Sequence, residues 1–270
     1  MSDEFAPWLD LWKLTPDGAP FRTHHAALLP VRVGGEAAML KLTANPDEER
    51  GARVMEAWKG RGAARVLARE KGALLMERAL GHRNLAEMAR NGEDASATRI
   101  LCTAAIRLHE VEATEDLVPL REWFQELWPA ADKNGILARS AEEARRLLDR
   151  PEPEVALHGD LHHGNLLDFE SRGWLAIDPK GLRGDRAFDY ANIFTNPDLD
   201  DPSRPLATRP EVFQSRLKIV SDTAQIDRAH LLRWIIAWTG LSAAWYLSDD
   251  DPMAEIDLTI ARFAIAALDA

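Results

Sequence analysis

Two periodicities divide the chain. Up to about residue 77 the apolar residues come in short runs broken by turn residues. "AALLPVRV" runs into Gly34 and Gly35, "AAMLKLT" follows, and "AARVLA" and "ALLME" are separated by Glu70, Lys71 and Gly72. Runs of that length bounded by such turns predict antiparallel hairpins. One helix is predicted among them, over 46–59. Pro46 suits a first helical position, Asp47, Glu48 and Glu49 meet the positive end of the dipole, and Gly60 suits the stop. From about residue 84 the spacing of apolar residues becomes three and four. Helices are predicted for "ATRILCTAAIRLHEV", "PLREWFQELWPAA", "SAEEARRLLDR", "PEVFQSRLKIVSDTA", "RAHLLRWIIAWTGLSAAWYL" and "AEIDLTIARFAIAAL". Three brief apolar runs, "EVALH", "NLLDF" and "WLAID", interrupt them as short strands. The fold class is therefore α+β, with a small β-rich lobe over 1–80, a hinge at 77–81 and a larger, mainly α lobe over 81–270.

Composition narrows the setting. With 270 residues, 46% of them hydrophobic, the chain can bury a sizeable core without staples. The lone Cys102 reads as a buried, inert thiol of a reducing compartment, and the cytoplasm is expected. The N-terminus lacks the features of a secretory signal, and no apolar run approaches the ~20 residues that span a bilayer. A net charge of −11 argues against a nucleic-acid or anionic-lipid partner and is compatible with a cationic small molecule. A monomer and a homodimer are equally compatible with the sequence.

The chemistry concentrates in "LHGDLHHGNLL" and "WLAID". Asp160 stands near a strand end, Asn165 five residues on, and Asp178 at the end of the next strand. Phosphoryl transfer from ATP asks for such a set. Mg²⁺ is a hard cation that wants oxygen ligands, and an acceptor hydroxyl needs a carboxylate to orient it and take its proton. The spacing matches that of kinases in general. Either residue alone would read as a turn cap. A zinc site from His158, His162 and His163 is the rival reading, against which stand the loop glycines and the lack of further ligands nearby. Lys41, inside the apolar run "AAMLKLT", is costly to bury unless its ammonium meets an anion. As an edge-strand residue it would face solvent; in a kinase it would hold the α/β-phosphates with a helix glutamate as partner. Glu48, Glu49 and Glu56 are available for that pairing, and Glu49 is the preferred one.

With Lys41, "LLMERA", "HGDLHHGN" and "AIDPKG" together, the sequence resembles the aminoglycoside phosphotransferase family, and within it the streptomycin and hydroxyurea resistance kinases. The resemblance covers nearly the whole chain and is strongest over 157–193. It implies a two-lobed, protein-kinase-like fold binding ATP in the cleft. Asp160 would be the catalytic base, Asn165 and Asp178 the Mg²⁺ ligands, and Lys41 the phosphate clamp. Met76 would back the adenine pocket, with the backbone of Glu77 and Ala79 bonding the adenine edge. Asp185 and Asp189 look like a family element that braces the catalytic loop or begins a helix. One departure stands out. The phosphate-covering turn between the first strands lacks glycine: Gly18 comes too early, and Arg22, Thr23, His24 and His25 occupy the turn.

The function expected is ATP-dependent transfer of the γ-phosphate to a hydroxyl of a small cationic acceptor, by resemblance an aminoglycoside such as streptomycin. A metabolic small-molecule kinase of the same fold and an ATP-binding pseudokinase are the alternatives. Protein-kinase activity is disfavoured because "DPKG" follows the metal aspartate where "DFG" would stand. Acidic stretches at 196–202 and 247–257 suit guanidinium or ammonium groups, although such runs are more often solvated. Trp234, Trp238 and Trp245 share a helical face and read first as a core stripe.

Overall fold

The computed structural model describes residues 3–23, 26–133, 135–150 and 152–270. Helix α1 (Ala6–Leu11) leads into strands β1 (Thr15–Pro16), β2 (Phe21–Arg22), β3 (Ala27–Val33) and β4 (Glu36–Leu42). Helix α2 (Pro46–Trp58) then precedes β5 (Val66–Glu70) and β6 (Ala73–Glu77). The sheet is antiparallel, in the order β1-β3-β4-β6-β5, with β2 beside the start of β3. The predicted strand 63–68 begins late. Ala63 bridges to Ala176 of the other lobe instead, and main-chain bonds of 2.9 Å join Ala64 N–H to the Ala176 carbonyl and Ala176 N–H to the Gly62 carbonyl. The sequence reading also did not include α1, whose Leu9 packs with Phe5 and Leu14 on one face of the sheet against Leu29, Ala38 and Leu40.

The opposite face of the sheet receives α2. Asn45 caps that helix, its side chain accepting the Asp47 N–H at 2.9 Å. Alternation along β4 sends Ala38 and Leu40 to the α1 side, so Lys41 points to the α2 side. Because β4 lies between β3 and β6, Lys41 is not an edge residue. Gly51 of α2 lies against the loop after Asp178, where an added Cβ would come within 1.9 Å of the Pro179 carbonyl oxygen. Met55 and Trp58 join the core of the second lobe, and the Trp58 indole donates to the Leu108 carbonyl at 3.1 Å.

The second lobe comprises α3 (Leu85–Met88), α4 (Asp94–Leu108), β7 (Val118–Pro119), α5 (Leu120–Trp123), α6 (Leu127–Ala130) and α7 (Gly135–Leu148). Strands β8 (Glu154–Leu157), β9 (Leu166–Asp168), β10 (Trp174–Ala176) and β11 (Leu182–Asp185) follow, then α8 (Phe188–Ala191), α9 (Pro210–Ala224), α10 (Arg228–Ser248) and α11 (Ala254–Leu268). The helix predicted through "PLREWFQELWPAA" breaks into α5, a 3₁₀ turn and α6, because Pro129 has no N–H to continue the ladder. The sequence reading did not include β11, which pairs antiparallel with β8 and parallel with β7. Helix α10 is buried along most of its length between α7 and α11. Among the described residues no helix is long and apolar enough to cross a membrane.

Candidate active site

The loop between β8 and β9 carries Asp160 and Asn165, and β10 ends just before Asp178. Asp189, buried at the start of α8, organises the first of these. Its carboxylate accepts the N–H groups of His158 at 2.9 Å and Gly159 at 2.7 Å, and the His109 imidazole at 2.8 Å. Burial alone would raise the Asp189 carboxyl, but these donors hold it below the usual carboxylate range. The bracing role expected for Asp189 is observed. His158 spends both ring nitrogens on the backbone: Nδ1 accepts the Asp160 N–H at 3.2 Å and Nε2 donates to the Ile177 carbonyl at 2.8 Å. That pattern is the neutral tautomer, and burial lowers the imidazole accordingly. His162 turns to Asp200, 3.2 Å away, while neither ring nitrogen of buried His163 has a partner. The three histidines do not converge, and the described residues contain no His/Cys/Asp/Glu cluster suited to a metal.

Asp160 is held at both oxygens. Oδ1 accepts the Asn192 amide at 2.8 Å, and Oδ2 lies 3.3 Å from both the Asn165 amide nitrogen and Lys180 Nζ. The Asn165 amide nitrogen also donates to the Asp160 carbonyl at 2.9 Å, which leaves its oxygen free to face elsewhere. Asp178 adopts a left-handed backbone, φ 58°. Its carboxylate is 30% exposed and accepts Lys41 Nζ at 2.8 Å. The donor chemistry of Asn165 and Asp178, one amide oxygen and one carboxylate, fits a hard divalent cation.

Lys41 is 5% exposed at its side chain and bridges two carboxylates, Asp178 and Glu48. The preference for Glu49 is therefore corrected. One residue step turns a helix by roughly 100°, so when Glu48 faces Lys41, Glu49 turns aside and accepts the Gly72 N–H at 3.1 Å. Glu56 pairs with Arg69 at 2.9 Å. At the hinge, buried Met76 lies opposite Met39 of β4. The Glu77 N–H is spent on the Arg65 carbonyl at 3.0 Å and its carboxylate on Arg65 and Arg172. Any contact from Glu77 to a purine thus falls to its backbone carbonyl. Ala79 follows in the connection, before Gly81 N–H meets the Asp168 carbonyl at 3.0 Å. Between β2 and β3, Thr23 N–H is bonded to the Ala26 carbonyl at 2.9 Å. His24 and His25 lie outside the described residues.

A cavity of ≈640 Å³ opens onto Asp160. Asp200, Asp249 and Asp251 add carboxylates to its wall, and Trp123, Trp238, Trp245 and Tyr246 add aromatic faces. The sequence reading of the tryptophans divides accordingly. Trp234 is core, its indole donating to Asp185 at 2.7 Å, whereas Trp238 and Trp245 line the cavity. Asp198, in the same acidic stretch as Asp200, is fully buried and accepts the N–H groups of Leu206, Ala207 and Thr208.

Two lobes, a Lys–Glu pair under a β-sheet, and Asp, Asn and Asp side chains gathered beside a separate acidic cavity define a kinase of small molecules on the protein-kinase-like scaffold. The sequence matches, over residues 11–250, the family described as aminoglycoside/hydroxyurea antibiotic resistance kinase, and the chain belongs to that family. It is 53% identical over 266 residues to a streptomycin 3''-kinase of Klebsiella pneumoniae, covering 97% of this chain and 100% of the relative. It is 31% identical to a streptomycin 6-kinase of Streptomyces glaucescens, covering 89% and 81%. Among solved structures, an amicoumacin kinase, hAmiN, in complex with AMP-PNP, Ca²⁺ and Ami superposes with a TM-score of 0.69 at 16% identity, over 99% of this chain and 94% of that one. The protein is an enzyme, an ATP-dependent kinase.

Proposed function

We propose that the protein transfers the γ-phosphoryl group of Mg²⁺-ATP to a hydroxyl of streptomycin, the 3''-hydroxyl by similarity to its 53%-identical relative. The observation that carries this reading is the cavity in front of Asp160. Its carboxylates suit the guanidinium groups of such an acceptor, and its indoles offer faces to cations and sugar rings. A neutral metabolite would leave the negative charge of that wall unmatched.

In this reading Asp160 orients the acceptor hydroxyl and takes its proton as the oxygen attacks the γ-phosphorus, and ADP departs. Asn192 fixes the carboxylate through its second oxygen. Lys41, steadied by Glu48, holds the α/β-phosphates. Asn165 and Asp178 hold Mg²⁺, which supplies charge neutralisation at the phosphates. Met76 backs the adenine, and the Glu77 carbonyl and Ala79 backbone bond its edge.

ATP consumption measured with streptomycin, other aminoglycosides and hydroxyurea, beside Asp160→Asn, tests the proposal. Turnover with streptomycin that falls at least ~100-fold in the variant is expected, and NMR of the product places the phosphate. Turnover confined to hydroxyurea or to a neutral acceptor would refute the substrate assignment.

A further inference from the structure

The Asp160 carboxylate is occupied before any acceptor arrives, and one of its occupants is a second lysine that the sequence roles leave unused. Lys180, two residues past Asp178, stands with Nζ 3.3 Å from Asp160 Oδ2. Its place is fixed by the backbone. Lys180 N–H donates to the His158 carbonyl at 2.7 Å, and Gly159, at φ +81°, approaches so closely that an added Cβ would lie 3.1 Å from that of Lys180. The side chain is 25% exposed and lines the acceptor cavity. Lys180 is thus a fixed positive charge between the carboxylate that meets the acceptor and the carboxylate on the nucleotide side.

We propose that Lys180 is a catalytic residue whose ammonium passes from Asp160 to the oxygens of the phosphoryl group during transfer. This rests on Asp160 being the base. At rest the ammonium neutralises a carboxylate that would otherwise face Asp178 and Asp200 across the site. The acceptor hydroxyl then competes for Oδ2. As its oxygen bonds to the γ-phosphorus and the bond from that phosphorus to the β,γ-bridging oxygen of ATP breaks, the hydroxyl proton moves to Asp160 and ADP leaves. Protonation cancels the charge that held Lys180, while negative charge accumulates on the phosphoryl oxygens beside it. The ammonium therefore stabilises the transition state more than the ground state, which is the condition for acceleration. The ammonium is 3.3 Å from Asp160 and opens to the cavity, so the path from carboxylate to phosphoryl oxygen is unobstructed by burial.

The test compares Lys180→Met, Lys180→Arg and Asp160→Asn. Lys180→Met is expected to lower kcat by about 100-fold or more, with KM for ATP and acceptor changed by less than about threefold and an unchanged melting temperature. Lys180→Arg should restore part of the rate, since the charge returns with altered geometry. Wild type in ADP and acceptor should bind tetrafluoroaluminate, a mimic of the transferring phosphoryl group, and Lys180→Met should lose that binding while keeping ADP. A Lys180→Met enzyme with near-normal kcat, or with only KM raised, beside an inactive Asp160→Asn would overturn the proposal and leave Asp160 as base. The reverse pattern, with Asp160→Asn active and Lys180→Met inactive, would remove the base assignment and with it the passage of the ammonium from Asp160, overturning both.

Discussion

Three buried aspartates of the helical lobe show how much one carboxylate depends on its donors. Asp185 and Asp189 both sit below the usual carboxylate range, although burial works against them, because His230 and Trp234 serve the first and His109 with two backbone amides the second. Asp257 on α11 is completely buried, and neither of its oxygens makes a well-formed hydrogen bond. Burial pushes it well above 3.8, and the Ser242 hydroxyl eases that only in part. A folded-state pKa above the unfolded one means that the native protein binds the extra proton between the two values, so this residue's contribution to stability declines as pH rises from about 3.8. Asp257→Asn, which keeps the shape without the charge, should therefore melt higher than wild type by a margin that grows with pH, at about 2–4 °C per kcal/mol for a domain of this size. Parallel melting curves across pH 4–8 would show that Asp257 ionises as freely folded as unfolded.

At the scale of elements, the contact between α2 and the loop after Asp178 sets the geometry of the nucleotide side. A glycine inside a helix costs about 1 kcal/mol relative to alanine, yet Gly51 occupies the middle of α2. Alanine there would recover that propensity but drive a methyl into the Pro179 carbonyl, which is backbone and cannot turn away. Overpacking of this kind costs about 1–3 kcal/mol, so the clash wins. Gly51→Ala is expected to lower the melting temperature and, by tilting Glu48 from Lys41, to reduce kcat/KM for ATP; a variant with unchanged ATP kinetics would uncouple helix position from the Lys41–Glu48 pair. Elements also separate what sequence could reveal from what it could not. Asp160, Asn165 and Asp178 were legible because they fall within nineteen residues, two in the loop between β8 and β9 and one just after β10. Glu48 was not, because the roll of α2 is set by its packing on Pro179 rather than by its own pattern. The "LRGD" of β11 lacks apolar alternation and is a strand only through its neighbours β8 and β7. The acceptor cavity draws Trp123, Asp160, Asp200 and Trp245 from segments far apart in the chain, and no local spacing announces such a meeting.

For the molecule as a whole, the joints between the lobes matter most. Besides the covalent connection through 77–81, anchored by Gly81 on Asp168, the chain at 62–64 is bonded through its backbone to Ala176, and Arg172 ties the Gly60 carbonyl at 2.8 Å to Glu77 between these points. Both joints belong to the β5–β6 side of the sheet, whereas β2 lies three strand spacings from β6, roughly 14 Å. With Met55 and Trp58 of α2 also packed in the core of the second lobe, the easiest motion left to the sheet is a small rotation about the line through these joints. Nucleotide binding should therefore shift a spin label at Phe21 relative to one at Arg262 by several times the shift seen from Glu70; equal shifts would mean that the lobe slides as a block. The sheet is then hung from its β5–β6 side. Its far margin, at β2, travels furthest for a given rotation, so the reach of that margin is set by the sheet as a whole and not by local bending of a strand.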